Sequence, residues 1–192
     1  MIPVAKVGKP GGFDLKVKAP GDAWVARNPK APRPPALWAP YTPALSEGFA
    51  KLCGYAAMFD PTGGTVDHFL SFKHHRGLAY EWSNYRFASG PLNSSKRDAD
   101  DAVLDPYEVG AGWFEIILPS LQMRMTDAVP LPLREKAAFT LKRLKLRDGE
   151  RVIRWRRAWY QMYTEGRLTL DGLRDVAPLL AAAVEAQARV AP

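Results

Sequence analysis

The sequence predicts an α+β fold, on two observations. Short segments that alternate or run apolar, as strands do, lie between residues 65 and 118 and are separated by loops. In the last third of the chain apolar residues recur instead at helical spacing, as in Ala137, Leu141 and Leu144. With 192 residues, 47% of them hydrophobic, the chain is long enough for one substantial domain.

Residues 1–41 are predicted to form an extended arm rich in proline. Seven prolines occur from Pro20 to Pro43, and each removes an amide donor that a helix or a central strand would need. Three alternatives remain for this arm: it wraps the domain, docks on a partner or is a loosely held tail. Thr42 followed by Pro43 is typical of the cap and first residue of a helix, which would lead into a core over residues 42–131.

Three polar motifs follow one another in the middle of this core. Asp67-His68 lies in a strand predicted over residues 65–69. Asn84 comes just before a second strand, predicted over residues 85–88, and Asn93-Ser94-Ser95-Lys96 lies in a helix predicted after it. This order and spacing resemble the HNH nucleases, also called His-Me finger or ββα-metal nucleases. The resemblance implies a ββα-metal finger, flanked here by further short strands.

The resemblance also implies a metal-dependent endonuclease that hydrolyses phosphodiester bonds. His68 would be the general base, since an ordinary imidazole pKa of about 6.5 leaves much of it neutral near pH 7. Asp67 and Asn93 would hold one divalent metal, Mg²⁺ or Mn²⁺, and Asn84 would orient the loop between the strands. Two oxygen ligands suffice because Mg²⁺ commonly keeps several waters. Neighbours on a strand point to opposite faces, so Asp67 and His68 share one pocket only if the strand ends or bulges there; the resemblance implies that it does.

Phosphate contacts are expected from basic residues beside these positions. In the family a Lys just after the last metal ligand often meets phosphate, which makes Lys96 and its neighbour Arg97 the candidates here. His74 and His75 lie in the loop between the strands and are further candidates for phosphate contact. The alternative for both histidines is an exposed loop without a binding role.

The chain departs from the family in its cysteines. Many HNH proteins carry two Cys-x-x-Cys pairs that hold a structural zinc with four thiolates. Cys53-Gly54-Tyr55-Ala56 and Ser89-Gly90-Pro91-Leu92 occupy those places, so one thiolate of four is present. We therefore predict no structural zinc and a finger held by apolar packing, with Cys53 as a small buried hydrophobic residue.

Residues 132–192 are predicted to form a helical region packed on the core, and this region holds most of the excess positive charge. From Arg134 to Arg167 there are eleven Lys and Arg against four Asp and Glu, a balance of +7 that equals the net charge of the whole chain. A helix predicted over residues 148–165 would place its aromatic residues on a core-facing side, flanked by basic residues. The flanking basic residues are Arg147, Arg151 and Arg154. They form either a solvated face or a surface that binds DNA phosphates regardless of sequence.

Three functions are compatible with these residues. The first is a metal-dependent endonuclease with double-stranded DNA as substrate and RNA as the alternative. The second is a catalytically decayed nucleic-acid-binding or partner-docking module, and a toxin domain that degrades nucleic acid nonspecifically is a third. Residues 78–84 and 92–96 also resemble small stand-alone bacterial HNH proteins, including nuclease subunits of Septu-type anti-phage systems. That resemblance implies antiviral defence, with an ATPase or other defence-system subunit as partner. No stretch approaches the roughly 20 apolar residues that cross a bilayer, so we expect a cytoplasmic protein without a membrane partner.

Overall fold

The computed structural model describes residues 1–190; residues 191 and 192, the last two of the predicted C-terminal region, lie outside this range. Helices and two small antiparallel sheets make up the described chain, which confirms the α+β class. The strands are β1 Thr65–His68, β2 Tyr85–Ala88, β3 Phe114–Ile117 and β4 Gln122–Met125. The helices are α1 Ala19–Arg27, α2 Thr42–Gly48, α3 Gly90–Lys96, α4 Arg134–Arg143, α5 Glu150–Thr164, α6 Leu170–Val176 and α7 Pro178–Val190.

The expectation of an extended N-terminal arm is wrong for residues 14–27. A π-helical turn, Asp14–Lys18, runs directly into α1. Pro20 is the second residue of α1 and directly follows the π-helical turn, so the helix continues through this proline. Later prolines, from Pro29 to Pro35, lie in a segment of turns and irregular backbone.

The N-terminal residues pack firmly against the first sheet. Phe13 and Val17 have no exposed surface, and the Phe13 ring meets Trp82 edge to face at 5.2 Å between centroids. Gly21 lies against the ring of Tyr80 so closely that a Cβ there would stand 2.3 Å from it. A loosely held tail therefore does not describe this part of the chain.

The hairpin of β1 and β2 is followed by α3, which lies along β1. In the antiparallel register Asp67 is opposite Arg86, and His68 is opposite Tyr85. The outer edge of β1 is covered by side chains of α3: Asn93 Nδ2 donates to the Val66 carbonyl at 3.2 Å, and Lys96 Nζ donates to that of His68 at 2.9 Å. These bonds satisfy carbonyls that would otherwise be an unpaired strand edge.

The second sheet and the C-terminal helices enclose the larger apolar cluster, which α4 to α7 complete. Cys53 is a fully buried free thiol in this cluster, which confirms the prediction for it. Its Sγ accepts a hydrogen bond from the Ser89 amide at 3.2 Å, and the Gly54 amide donates to the Phe87 carbonyl at 2.9 Å. The two segments that would carry zinc ligands in the family are thus joined here by hydrogen bonds and apolar packing. Within residues 1–190, no helix has both the length and the apolar character needed to span a bilayer.

Replacing Gly21 by Ala should destabilise the fold, because the new methyl group would overlap the Tyr80 ring. Overpacking of this kind costs about 1–3 kcal/mol, more than the gain in helix propensity. Urea unfolding measures the loss. Gly8→Ala is the matched control, since nothing lies within 4 Å of a Cβ at Gly8. Equal stability of the two variants would show that the contact between α1 and Tyr80 does not form.

Candidate active site around His68

The His68 side chain is held at the end of β1 by a backbone carbonyl. Its Nε2 lies 2.8 Å from the Ala79 carbonyl oxygen. Because a carbonyl only accepts hydrogen bonds, Nε2 must carry the proton, and Nδ1 keeps its lone pair. The ring meets Trp38 and Tyr85 edge to face, with centroids 4.5 Å and 5.1 Å away. His68 is therefore a partly buried imidazole with a fixed orientation and tautomer.

Burial lowers the pKa of His68 below its ordinary value of 6.5, although the Ala79 hydrogen bond and the nearby Asp67 charge oppose this effect. Desolvation acts this way because it disfavours the charged imidazolium. The ring is consequently neutral at pH 7, as a group that accepts a proton must be.

Asn84 connects the two ends of the loop between β1 and β2. Its Oδ1 accepts from the Leu70 amide at 2.8 Å, and its Nδ2 donates to the carbonyls of Leu70 and Leu78 at 2.9 Å and 3.1 Å. The residue is buried. These hydrogen bonds fasten the loop to the start of β2 and hold the chain just before Ala79.

Asp67 lies on the opposite face of β1 from His68, because the strand stays regular through both residues. Its Oδ2 accepts from the Tyr55 hydroxyl at 2.6 Å, and its Oδ1 accepts from Lys96 Nζ at 3.0 Å. Only 1% of Asp67 is exposed. Burial, followed by the Asp67 charge, raises the pKa of Tyr55 well above its ordinary value, so its hydroxyl remains a donor.

Lys96 points into the protein and not toward a phosphate. Its ammonium donates to Asp67 Oδ1 and to the carbonyls of His68 and Phe69, the last at 2.8 Å, and the residue is fully buried. An ammonium has three hydrogens, so all its donors are used. This arrangement contradicts the prediction that Lys96 meets phosphate. Lys96 neutralises the buried carboxylate of Asp67 instead.

Asp67 and Asn93 do not fit a metal ion in this arrangement. The Asp67 charge is balanced by an ammonium, both its oxygens are engaged, and Asn93 donates to a strand carbonyl. Within residues 1–190 there is no group of three or more His, Cys, Asp or Glu placed to hold a metal. The structure brings Asp67, Asn93 and Lys96 to one side of β1 and places His68 on another.

The two loop histidines are engaged by Asp100, which belongs to the acidic run after α3. His74 Nδ1 lies 2.6 Å from Asp100 Oδ2, and His75 Nε2 lies 3.8 Å from the same oxygen. The other oxygen of Asp100 accepts from the Ser71 amide at 2.6 Å. The histidines therefore tie the loop to the chain after α3, and the acidic run there, although visible in the sequence, gave no indication of this pairing.

The predicted basic residues separate into different surfaces. Arg97 and Arg151 line a cleft of about 820 Å³ between α3 and the start of α5. Arg147 lies in another cleft, and Arg154 forms an exposed ion pair with Glu150. Two further cations of the first cleft, Arg143 and Lys145, were missed. The sequence places both residues in the basic segment, but the surface that their side chains reach depends on how α4 ends.

Trp38 was also missed, because an aromatic residue in a Pro-rich segment carries no signal for contact with a distant histidine. The Ala79 carbonyl could not have been found from side-chain motifs at all. Comparisons of the chain with protein-family models, with curated proteins and with solved structures found no match.

The Asp67–Lys96 pair predicts a large stability effect. Lys96→Met should cost about 3–5 kcal/mol, because it leaves a buried carboxylate without its counter-charge. The double variant Asp67→Asn/Lys96→Met should be more stable than Lys96→Met alone, since no charge is then stranded. Urea unfolding of the single and double variants measures both quantities.

Lys51→Met is the control, because Lys51 forms an exposed ion pair with Glu47 that is worth about 0–1 kcal/mol. A cost for Lys96→Met no larger than that of the control would mean that the buried pair is absent in solution.

Proposed function

We propose that the protein is an endonuclease of the HNH type that hydrolyses phosphodiester bonds of DNA, with His68 as general base. The observation that carries this proposal is the hydrogen bond from His68 Nε2 to the Ala79 carbonyl. It leaves Nδ1 as the free proton acceptor and fixes the plane of the ring, so that a water positioned at Nδ1 can lose its proton while attacking phosphorus.

Two features around His68 support this role. The lowered pKa keeps the ring neutral, and Asn84 holds the loop that leads to the Ala79 carbonyl. The Trp38 ring packs edge to face against the imidazole and limits access to it. The irregular segment around Trp38 is therefore a determinant of access to His68.

The resemblance also proposes a divalent metal, Mg²⁺ or Mn²⁺, which would screen the charge on the phosphate. Asp67 is held by Tyr55 and Lys96, so we assign no step of the reaction to a metal at Asp67. Double-stranded DNA is the proposed substrate, with RNA as the alternative. A cytoplasmic role in antiviral defence, with an ATPase or other defence-system subunit, is a proposal from the same resemblance.

One observation favours a second candidate function, a decayed nucleic-acid-binding or partner-docking module. Lys96 supplies the positive charge beside Asp67 that a catalytic metal would supply in an HNH nuclease. If that substitution is permanent, the fold is kept and hydrolysis is lost. Binding of nucleic acid without turnover would then be the activity.

A plasmid assay distinguishes the two functions. Supercoiled plasmid is incubated with wild type or His68→Ala, in Mg²⁺, in Mn²⁺ and in EDTA. The nuclease predicts nicked or linear product with wild type and a loss of at least about 100-fold with His68→Ala, the usual contribution of a general base. EDTA reports whether the reaction needs a metal.

Leu131→Ala is the control, because this exposed side chain lies outside the hairpin and the loop that surround His68. Equal rates for wild type and His68→Ala would remove the proposed role of His68. Gel-shift binding without cleavage in any lane would favour the decayed module.

The acid limb of the rate profile should lie below pH 6.5. Since burial lowers the pKa of His68, the neutral base persists at more acidic pH than an ordinary imidazole would allow, and protonation abolishes the rate only below that lowered value. Initial rates of cleavage from pH 5 to 8 give the midpoint. A midpoint at or above 6.5 would contradict the desolvated environment described for His68.

A further inference from the structure

The cleft between α3 and the start of α5 has an uncompensated positive charge. Four cations line it: Arg97, Arg143, Lys145 and Arg151. None of the four forms an ion pair within residues 1–190. The acid at the cleft, Glu150, is already paired with Arg154. Unpaired cations facing one concave surface attract an anion.

Arg143 is the best-fixed member of this group. Its Nη2 donates to the Lys96 carbonyl at 3.1 Å, whereas its Nε is buried and has no hydrogen-bond partner among the described residues. A buried unpaired donor is costly unless a ligand satisfies it. The first turn of α5 adds to the positive field, because Gly149 at its N-cap has no side chain to accept from the free amides. Phosphate suits such a site because its several oxygens can accept hydrogen bonds from donors that converge on it from different sides.

A mostly apolar pocket of about 220 Å³ continues from the cleft, sharing Arg151 with it. Trp155, which is half-buried, forms part of its wall. Ser89 also lines the pocket; the residue is 3% exposed, and its Oγ has no hydrogen-bond partner among the described residues. The pocket therefore offers an aromatic surface and one unsatisfied polar atom.

We propose that the cleft and pocket together bind a nucleotide whose base is unpaired. Its phosphates lie among the four cations, its base lies beside Trp155, and an edge of that base bonds to Ser89 Oγ. A base within a duplex is stacked and paired and does not enter such a pocket, whereas an unpaired base stacks on aromatic side chains. The ligand is therefore single-stranded nucleic acid or a free nucleotide, which share this chemistry.

The site lies across α3 from the hairpin. Asn93 and Lys96 face β1, whereas Ser94 and Ser95 line the cleft. This division is expected because successive residues of an α-helix are about 100° apart around its axis. Binding there does not require hydrolysis at His68, so it goes beyond the proposed function. Failure of the plasmid assay would leave this site unaffected.

The test is a titration of a labelled single-stranded DNA of about 12 nucleotides, followed by fluorescence anisotropy, with the full chain carrying His68→Ala to prevent cleavage. Ser89→Ala removes one buried unpaired atom and should leave thermal stability equal or higher while weakening binding about tenfold. Ser71→Ala is the matched control, because Ser71 Oγ is also buried and unpaired but lies outside the pocket, so it should bind like the parent.

A second pair of variants tests the phosphate contacts. Arg143→Gln should reduce the slope of log affinity against log salt by about 1. Arg167→Gln makes the same charge change at an exposed ion pair with Glu165 and should leave the slope unchanged. Competition by unlabelled single strand and weak competition by duplex are expected. Strong competition by a free nucleotide would also support the site and would identify a free nucleotide as its ligand.

Two results would overturn the proposal. Equal affinity of Ser89→Ala and Ser71→Ala would mean that no base enters the pocket. Competition by duplex as strong as by single strand, with an unchanged salt slope for Arg143→Gln, would mean that binding is dispersed over the basic surface and not located in this cleft.

Discussion

The buried ion pair between Asp67 and Lys96 is the constraint on which the rest of the structure depends. The ammonium is shared between the carboxylate and the carbonyls of His68 and Phe69, so one side chain from α3 neutralises a buried charge and also completes the outer edge of β1. Tyr55 satisfies the other carboxylate oxygen. Because removing either charge would leave the other stranded in the protein interior, the pair fixes the position of α3 along the strand. β1 is regular to its end, so His68 lies on the face opposite this pair.

The two faces of this unit therefore have different chemistry. On the hairpin, His68 is neutral, directed by a backbone carbonyl and bordered by Trp38, which suits acceptance of a proton. Across α3, unpaired guanidinium and ammonium groups suit the binding of phosphate. The resemblance to HNH nucleases implies a single site at which the general base, the metal and the phosphate contacts lie together. In this structure the Lys96 ammonium neutralises Asp67 within the fold, whereas the unpaired basic groups lie in the cleft.

The sequence was sufficient to predict what depends on local pattern. The alternation of apolar and polar residues predicted the strand that carries His68 and the strand that precedes Asn93. The lone cysteine, Cys53, was predicted to be buried, and it is. The sequence was insufficient where direction is decided by tertiary contacts. Proline content suggested an extended arm, yet the helix that begins with the π-helical turn continues through Pro20. Lys96 was expected at a phosphate from its place after Asn93 in the family pattern. Lysine is seldom buried, and only the position of Asp67 on the facing strand explains why it is buried here. Backbone groups such as the Ala79 carbonyl leave no trace in a side-chain motif.

Charge in the C-terminal region illustrates the same limit and leads to one connection between the two faces. The excess of +7 between Arg134 and Arg167 is a property of composition, but the fold gives its members unlike roles. Arg156 is buried and donates to backbone carbonyls, Arg154 is paired with Glu150, and Arg143 turns into the cleft. Arg143 also donates to the carbonyl of Lys96, whose ammonium in turn holds the His68 carbonyl. The guanidinium of Arg143 and the end of β1 are thus joined through a single residue, a connection that the charge of the segment could not have predicted.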